Sequence, residues 1–272
     1  MANETASPLM GTVKYRKGRN FGKVLNESLS VFFKDALRVT LKDPKQAYFF
    51  LRTARWQQKA ARVRAKLERE GIHVPPIMIF SITNMCNLHC KGCYNQTLQR
   101  SPQAEISEDK IRGIFGEARE LGISFMVLAG GEPLVRQEIL DITKDYPEII
   151  CLVFTNGLLI DDDLMVKLKG QRNFVPVISL EGWEEDTDGR RGEGVYKQLQ
   201  RIIERIKSTG LFWSVSLTVT RSNFATITNH QFITFLTDLG CKLFFFVEYT
   251  PIKEGTEDWV ITDAQRADLL EL

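Results

Sequence analysis

The sequence predicts an α/β fold: six strand–helix units forming an open (β/α)6 barrel, preceded by a helical N-terminal extension. Six short apolar runs carry this reading, at 77–83, 124–130, 150–156, 174–180, 213–220 and 243–250. They have strand length and the continuous hydrophobicity of strands covered on both faces. Between them lie segments with helical apolar spacing, several of them closed by glycine. Repeated units of this kind build a parallel sheet with right-handed crossovers, and six of them make three-quarters of a closed eight-unit barrel. A charge asymmetry marks off the extension. Residues 1–70 hold 16 Lys and Arg against 6 Asp and Glu, and the rest holds 20 against 28, so the net charge of +2 hides a basic front and an acidic body. The boundary is read before Val74-Pro75-Pro76, giving an extension over 1–73 and a barrel over 74–272.

Residues 1–23 are polar and glycine-punctuated, with Lys14, Arg16, Lys17, Arg19 and Lys23 clustered, which reads as a mobile basic arm. A first helix places Leu25, Leu29, Phe32, Phe33 and Ala36 on one face and stops before Asp43-Pro44. That pair opens a second helix, Asp43 as N-cap and Pro44 in the first turn, which runs to Gly71. Its apolar stripe is weak, and Arg52, Arg55, Lys59, Arg62, Arg64, Lys66 and Arg69 cover the other faces. This is either a solvated face over the acidic body or a contact, spanning residues 14–69, with an anionic surface.

Within the barrel, Ser107 caps a helix carrying Ile111, Ile114, Phe115, Ala118 and Leu121, ended by Gly122. A second starts at Asp161-Asp162-Asp163 and stops at Gly170. A third runs from Val195 to Gly210, and a fourth carries Ile227, Phe232, Phe235, Leu236 and Leu239 to Gly240. Thr262-Asp263-Ala264-Gln265 is a capping box opening a sixth helix shortly before Leu272, so the chain reads as part of a longer protein.

An apolar fraction of 43% is enough for a sizeable core. Five cysteines, three in one loop, argue against a disulfide framework and for a reducing compartment. No apolar run approaches the ~20 residues of a membrane span, and the N-terminus has no charged-then-apolar leader pattern. A cytoplasmic location is expected.

The chemistry gathers at the predicted strand ends. Directly after the first strand stands Cys86-Asn87-Leu88-His89-Cys90-Lys91-Gly92-Cys93. Three thiolates suit zinc or an iron–sulfur cluster, and three rather than four leave one metal corner for a ligand. The same residues also allow a zinc ion completed by His89 or His73, or three unrelated core thiols. The second strand ends in Gly130-Gly131-Glu132-Pro133, where paired glycines let the backbone approach a ligand closely. Later ends read Thr155-Asn156-Gly157, Ser179-Leu180-Glu181-Gly182 and Val247-Glu248-Tyr249-Thr250-Pro251, with Arg190-Arg191 following the fourth strand. Cys151 and Cys241 read as packing thiols. There is no Ser-His-Asp set and no phosphate loop.

In their order, these motifs over 77–251 resemble the radical S-adenosylmethionine (SAM) superfamily, in particular the core of members with C-terminal auxiliary-cluster (SPASM-type) extensions. The resemblance implies a partial TIM barrel in which Cys86, Cys90 and Cys93 hold a [4Fe–4S] cluster whose open iron chelates SAM. It implies that Gly130, Gly131 and Glu132 contact the SAM amino group and that Asn156 lines its pocket. Ser179 and Glu181 would meet its ribose or carboxylate, Arg191 its carboxylate, and Val247 and Tyr249 its adenine. Two positions depart from the family pattern. Glu181 stands where Asp is usual, and Gly92 stands where an aromatic commonly abuts adenine, which shifts that contact to Tyr94. One electron from reduced flavodoxin or ferredoxin would then release a 5′-deoxyadenosyl radical that takes hydrogen from an unidentified substrate. The alternative is a non-catalytic zinc- or iron–sulfur-bearing module acting through the basic N-terminal region.

Overall fold

A computed structural model of the chain describes residues 44–97 and 105–271. The basic arm, the first expected helix and the Asp43 cap lie outside the described residues. The chain separates into two compact units, 1–53 and 54–272. Of the first, the described part is the opening of helix α1 (Pro44–Arg69). The division thus falls inside α1, ahead of the Val74-Pro75-Pro76 boundary read from sequence.

From Ala54 onward α1 lies across the turn that leads into the second strand. Gln57 donates to the Ser124 carbonyl (3.5 Å), and Arg64 donates to the Gly122 carbonyl. Arg55, Lys59, Arg62, Lys66 and Arg69 stay exposed. Their spacing of three and four places them on one helix face, a cationic stripe.

The second unit holds six strands: β1 (Ile77–Ser81), β2 (Phe125–Ala129), β3 (Ile150–Thr155), β4 (Phe174–Leu180), β5 (Ser214–Val219) and β6 (Phe244–Glu248). They pair in sequence order, every pair parallel, and the sheet curls into a half-barrel open between β1 and β6. The expected partial TIM barrel is the fold observed. Each strand lies inside its sequence-predicted run.

Alternation along the strands sorts the residues by face. Met126, Leu128, Cys151, Val153, Val215 and Leu217 face the helices and join the main core. Their partners there come from α3 (Glu108–Leu121), α4 (Glu138–Asp145), α5 (Asp162–Gly170), α7 (Val195–Thr209) and α9 (His230–Asp238). Sequence logic explains their ends. Ser107 and Asp161 accept N-cap hydrogen bonds from Lys110 and Leu164, and Gly122 and Gly210 close α3 and α7 in the left-handed region. Short helices α2 (Tyr94–Thr97), α6 (Glu184–Arg191) and α8 (Phe224–Ile227) sit in the loops above the strand ends, and α10 (Asp263–Leu269) follows β6 with its full capping box.

The alternate strand residues face inward. Ile79, Val127, Leu152, Phe154, Val177 and Phe245 make this face apolar, and Ser179, Ser216 and Thr218 form its polar upper rim.

The first two strands continue their pairing into the loops above them. Gly131 N–H donates to Thr83 O (2.8 Å) and Glu132 N–H to Met85 O (2.7 Å). The approach is close enough to require glycine: a Cβ on Gly131 would stand 2.1 Å from the Met85 carbonyl oxygen. Gly131→Ala should therefore lose about 1–3 kcal/mol in denaturant unfolding. Gly113→Ala is the control: this helical glycine has nothing within 4 Å of a new Cβ and should gain about 0.5–1 kcal/mol.

Candidate active site

The cysteine loop, residues 82–93, has no regular secondary structure, so its shape comes from what surrounds it. Below, Arg136 donates to the carbonyls of Ile82 (3.3 Å) and Ile106 (2.6 Å) and pairs with Glu138; Glu105 accepts from Asn84 N–H (3.1 Å). On one side, Asn95 donates to Asn84 O (2.8 Å) and the Tyr94 hydroxyl to Gly130 O (3.2 Å). The three cysteines are all half-buried.

On the Cys86 side stand Glu132 and Asn156. Glu132 is 1% exposed. One of its oxygens accepts from Leu134 N–H (2.9 Å) and the Thr155 hydroxyl (2.7 Å), the other from Asn156 N–H (2.6 Å). Burial pushes its carboxyl above the usual carboxylate range, against the pull of those donors. The Asn156 amide donates to Asn87 Oδ1 (2.7 Å) within the cysteine loop, and its own Oδ1 accepts from Leu158 N–H (3.0 Å). It braces the loop from the end of β3.

On the Cys90–Cys93 side stands α6. Lys91 N–H donates to Arg190 O (2.8 Å), and Arg190 Nε returns a hydrogen bond to Lys91 O (3.1 Å). Glu181, 1% exposed, gathers both arginines on one oxygen: Arg190 at 2.9 Å and Arg191 at 2.5 Å. Its other oxygen accepts from Thr218 N–H (3.2 Å), and Asn223 ties down the Glu181 carbonyl (2.8 Å). Burial raises the Cys90 thiol, with Arg191 and Arg190 opposing that rise. Burial likewise raises Cys86.

Behind the loop, Gly92 (φ 67°) backs onto an aromatic pair. A Cβ there would stand 2.8 Å from Trp259 and from the Tyr249 hydroxyl, whose rings lie 5.3 Å apart. Tyr249 is buried and its hydroxyl donates to Thr256 (3.1 Å). Trp259, from beyond β6, thus fills the space that a side chain at position 92 would enter.

The sequence-predicted residues therefore gather at the carboxyl ends of the strands. Gly130, Gly131, Glu132, Asn156 and Tyr94 adjoin the cysteine loop directly. Arg191 reaches it through burial beside Cys90, and Ser179 and Val247 lie on the inward face. Glu181, expected as a ligand contact, has both oxygens held by protein donors. Glu248 turns outward and pairs with Arg266 on α10. Four residues were not singled out from sequence: Asn87, Arg136, Asn223 and Trp259. Their partners lie far along the chain, so no local pattern announces them.

The donor set fits an iron–sulfur cluster. Thiolates around one zinc ion at ~2.3 Å each would lie within about 4 Å of one another. Among the described residues no three Cys, His, Asp or Glu side chains converge to enclose a single ion. Neither histidine offered for zinc joins the thiols: His89 bonds Gln96 (3.1 Å) and His73 bonds Glu68 (2.8 Å). Three soft thiols in one loop, with half-buried arginines beside Cys90, are donor chemistry suited to an anionic iron–sulfur cluster.

The comparisons agree. The chain is 23% identical over 202 residues to an AdoMet-dependent heme synthase of Methanosarcina barkeri, covering 73% of this chain and 57% of the relative. It is 29% identical over 171 residues to the mycofactocin maturase MftC of Mycolicibacterium smegmatis, covering 61% and 43%. The chain thus spans about half the length of the curated relatives it matches. In fold it is similar to Streptococcus suis SuiB bound to S-adenosylmethionine (TM-score 0.63, 18% identity, 90% of this chain and 57% of that one). It is also similar to anSMEcpe with bound AdoMet (TM-score 0.56, 17% identity, 72% and 56%). The family model described as Radical SAM superfamily matches residues 80–230, more than half of the sequence, and the chain belongs to that superfamily.

Proposed function

We propose that this chain is the catalytic core of an enzyme that cleaves SAM reductively to draw hydrogen from its substrate. The observation that carries the reading is the convergence of three thiols, a buried carboxylate and a half-buried arginine pair at the carboxyl ends of one parallel half-barrel. Cys86, Cys90 and Cys93 would hold a [4Fe–4S] cluster by its three protein-bound corners. When bound, the cluster and SAM supply one-electron chemistry and a 5′-deoxyadenosyl radical, with the electron coming from reduced flavodoxin or ferredoxin.

The protein's own residues bind and orient. The Gly130–Glu132 turn presents backbone and a carboxylate beside Cys86, suited to an ammonium group. Arg191 offers a buried cation for a carboxylate. Tyr94 follows the last cysteine in sequence, and Tyr249 and Trp259 back Gly92 just before it with aromatic surface. The apolar inward strand face keeps water from a radical and accepts an uncharged part of the substrate, since none of its strand residues is charged. SuiB has been solved bound to the precursor peptide SuiA, and MftC is a maturase, so a peptide is the substrate class we favour. The cationic stripe of α1 is the part of the 14–69 region that supports contact with an anionic surface, and a reducing cytoplasm suits the cluster.

Reconstituted anaerobically with iron and sulfide, the chain should turn brown and form 5′-deoxyadenosine from SAM and dithionite. Cys86→Ala, Cys90→Ala and Cys93→Ala should each abolish the product. A colourless zinc-loaded protein would reject the reading. Arg191→Lys should keep its iron yet bind SAM about tenfold more weakly in equilibrium titration, because a point charge replaces a planar fork.

A further inference from the structure

One carboxylate serves two guanidinium groups beside the cysteine loop. Glu181 is nearly inaccessible and its oxygens are filled by Arg190, Arg191 and Thr218 N–H. With its side chain 1% exposed, Glu181 is committed chiefly to these protein partners. The arginine side chains are 17% and 10% exposed, and Arg191 Nε is buried with no hydrogen-bond partner. Two cations and one anion are therefore fixed on the Cys90–Cys93 side, held against the loop by the paired Arg190–Lys91 hydrogen bonds. The other carboxylate near the thiols, Glu132, lies on the Cys86 side and is engaged with β3 and the turn that follows it. Two largely desolvated cations sharing one carboxylate leave a net positive charge that an anionic group facing them would offset.

We propose that Arg190 and Arg191 hold a net positive charge against the cysteine loop that favours the reduced state of the cluster, and that Glu181 is the positioning residue that gathers both on one carboxylate while offsetting part of their charge. The inference rests on the cluster reading above. Uptake of one electron from a low-potential donor adds one negative charge to the cluster. A fixed cation nearby stabilises that state, and a fixed anion opposes it. Arg190 acts by charge and by clamping Lys91; Glu181 acts through both arginines and touches neither cluster nor SAM.

The test is an EPR-monitored redox titration of the reconstituted protein, with iron counted in every sample. Glu181→Gln removes the anion while keeping a carbonyl that accepts from the arginines, so its midpoint should rise above wild type. Arg190→Gln removes a cation and its midpoint should fall; Arg190→Lys keeps the charge and should stay near wild type. Opposite shifts in the two neutralising variants are the signature of charge, because a merely structural role would move both the same way. Equal or same-direction shifts at full iron content overturn the proposal. Should Arg190→Gln lose its iron, Glu181→Gln alone decides, and a midpoint at or below wild type overturns it. A wild-type protein that binds no iron defeats the functional reading as well, and its iron content tells the two failures apart.

Discussion

The functional end of this barrel depends on one constraint: a loop without regular structure must hold three thiols in a fixed arrangement. Residues 82–93 form no helix or strand of their own, and backbone entropy opposes any single shape. Order is imposed from every side. The continuing ladder between the β1 and β2 ends fixes the loop's start, Asn156 fixes its Asn87, and the mutual Arg190–Lys91 hydrogen bonds fix its end. Each clamp comes from a different strand end, so the parallel sheet is what brings them together.

The clamps are mostly buried polar groups, and their cost is met by satisfaction. Glu132 and Glu181 would each be unfavourable in isolation. Each accepts three hydrogen bonds, from backbone and side chains that the fold already places there. Such carboxylates rigidify their surroundings because moving one would strand several donors. The site is stiff where the cofactors would sit and apolar below, where a substrate group would enter.

Much of this was legible in the sequence, for physical reasons. Strands apolar on both faces write continuous apolar runs, and helices over them write a 3.6-residue stripe closed by glycine, so β1–β6, α3, α5 and α7 followed from pattern. The cysteine spacing and the glycine pair were equally local. What could not be read was α6. Its segment, Glu184 to Arg191, is polar throughout with only Thr187 buried, so it has no apolar period. With α6 unread, nothing in the sequence paired Glu181 with Arg190 and Arg191. Their pairing joins residues nine and ten positions apart across a turn whose shape only the fold sets.

Trp259 gives the barrel a closing fastener. It lies past the last strand, yet its ring fills the space behind Gly92, near the first. Its carbonyl accepts from Arg221 N–H (2.8 Å), and the neighbouring Val260 carbonyl accepts from the Arg221 side chain (3.1 Å), which anchors this late segment to the end of β5. Any attempt to excise a minimal domain by cutting after β6 would keep every strand and every cysteine and still unlatch the loop that carries them.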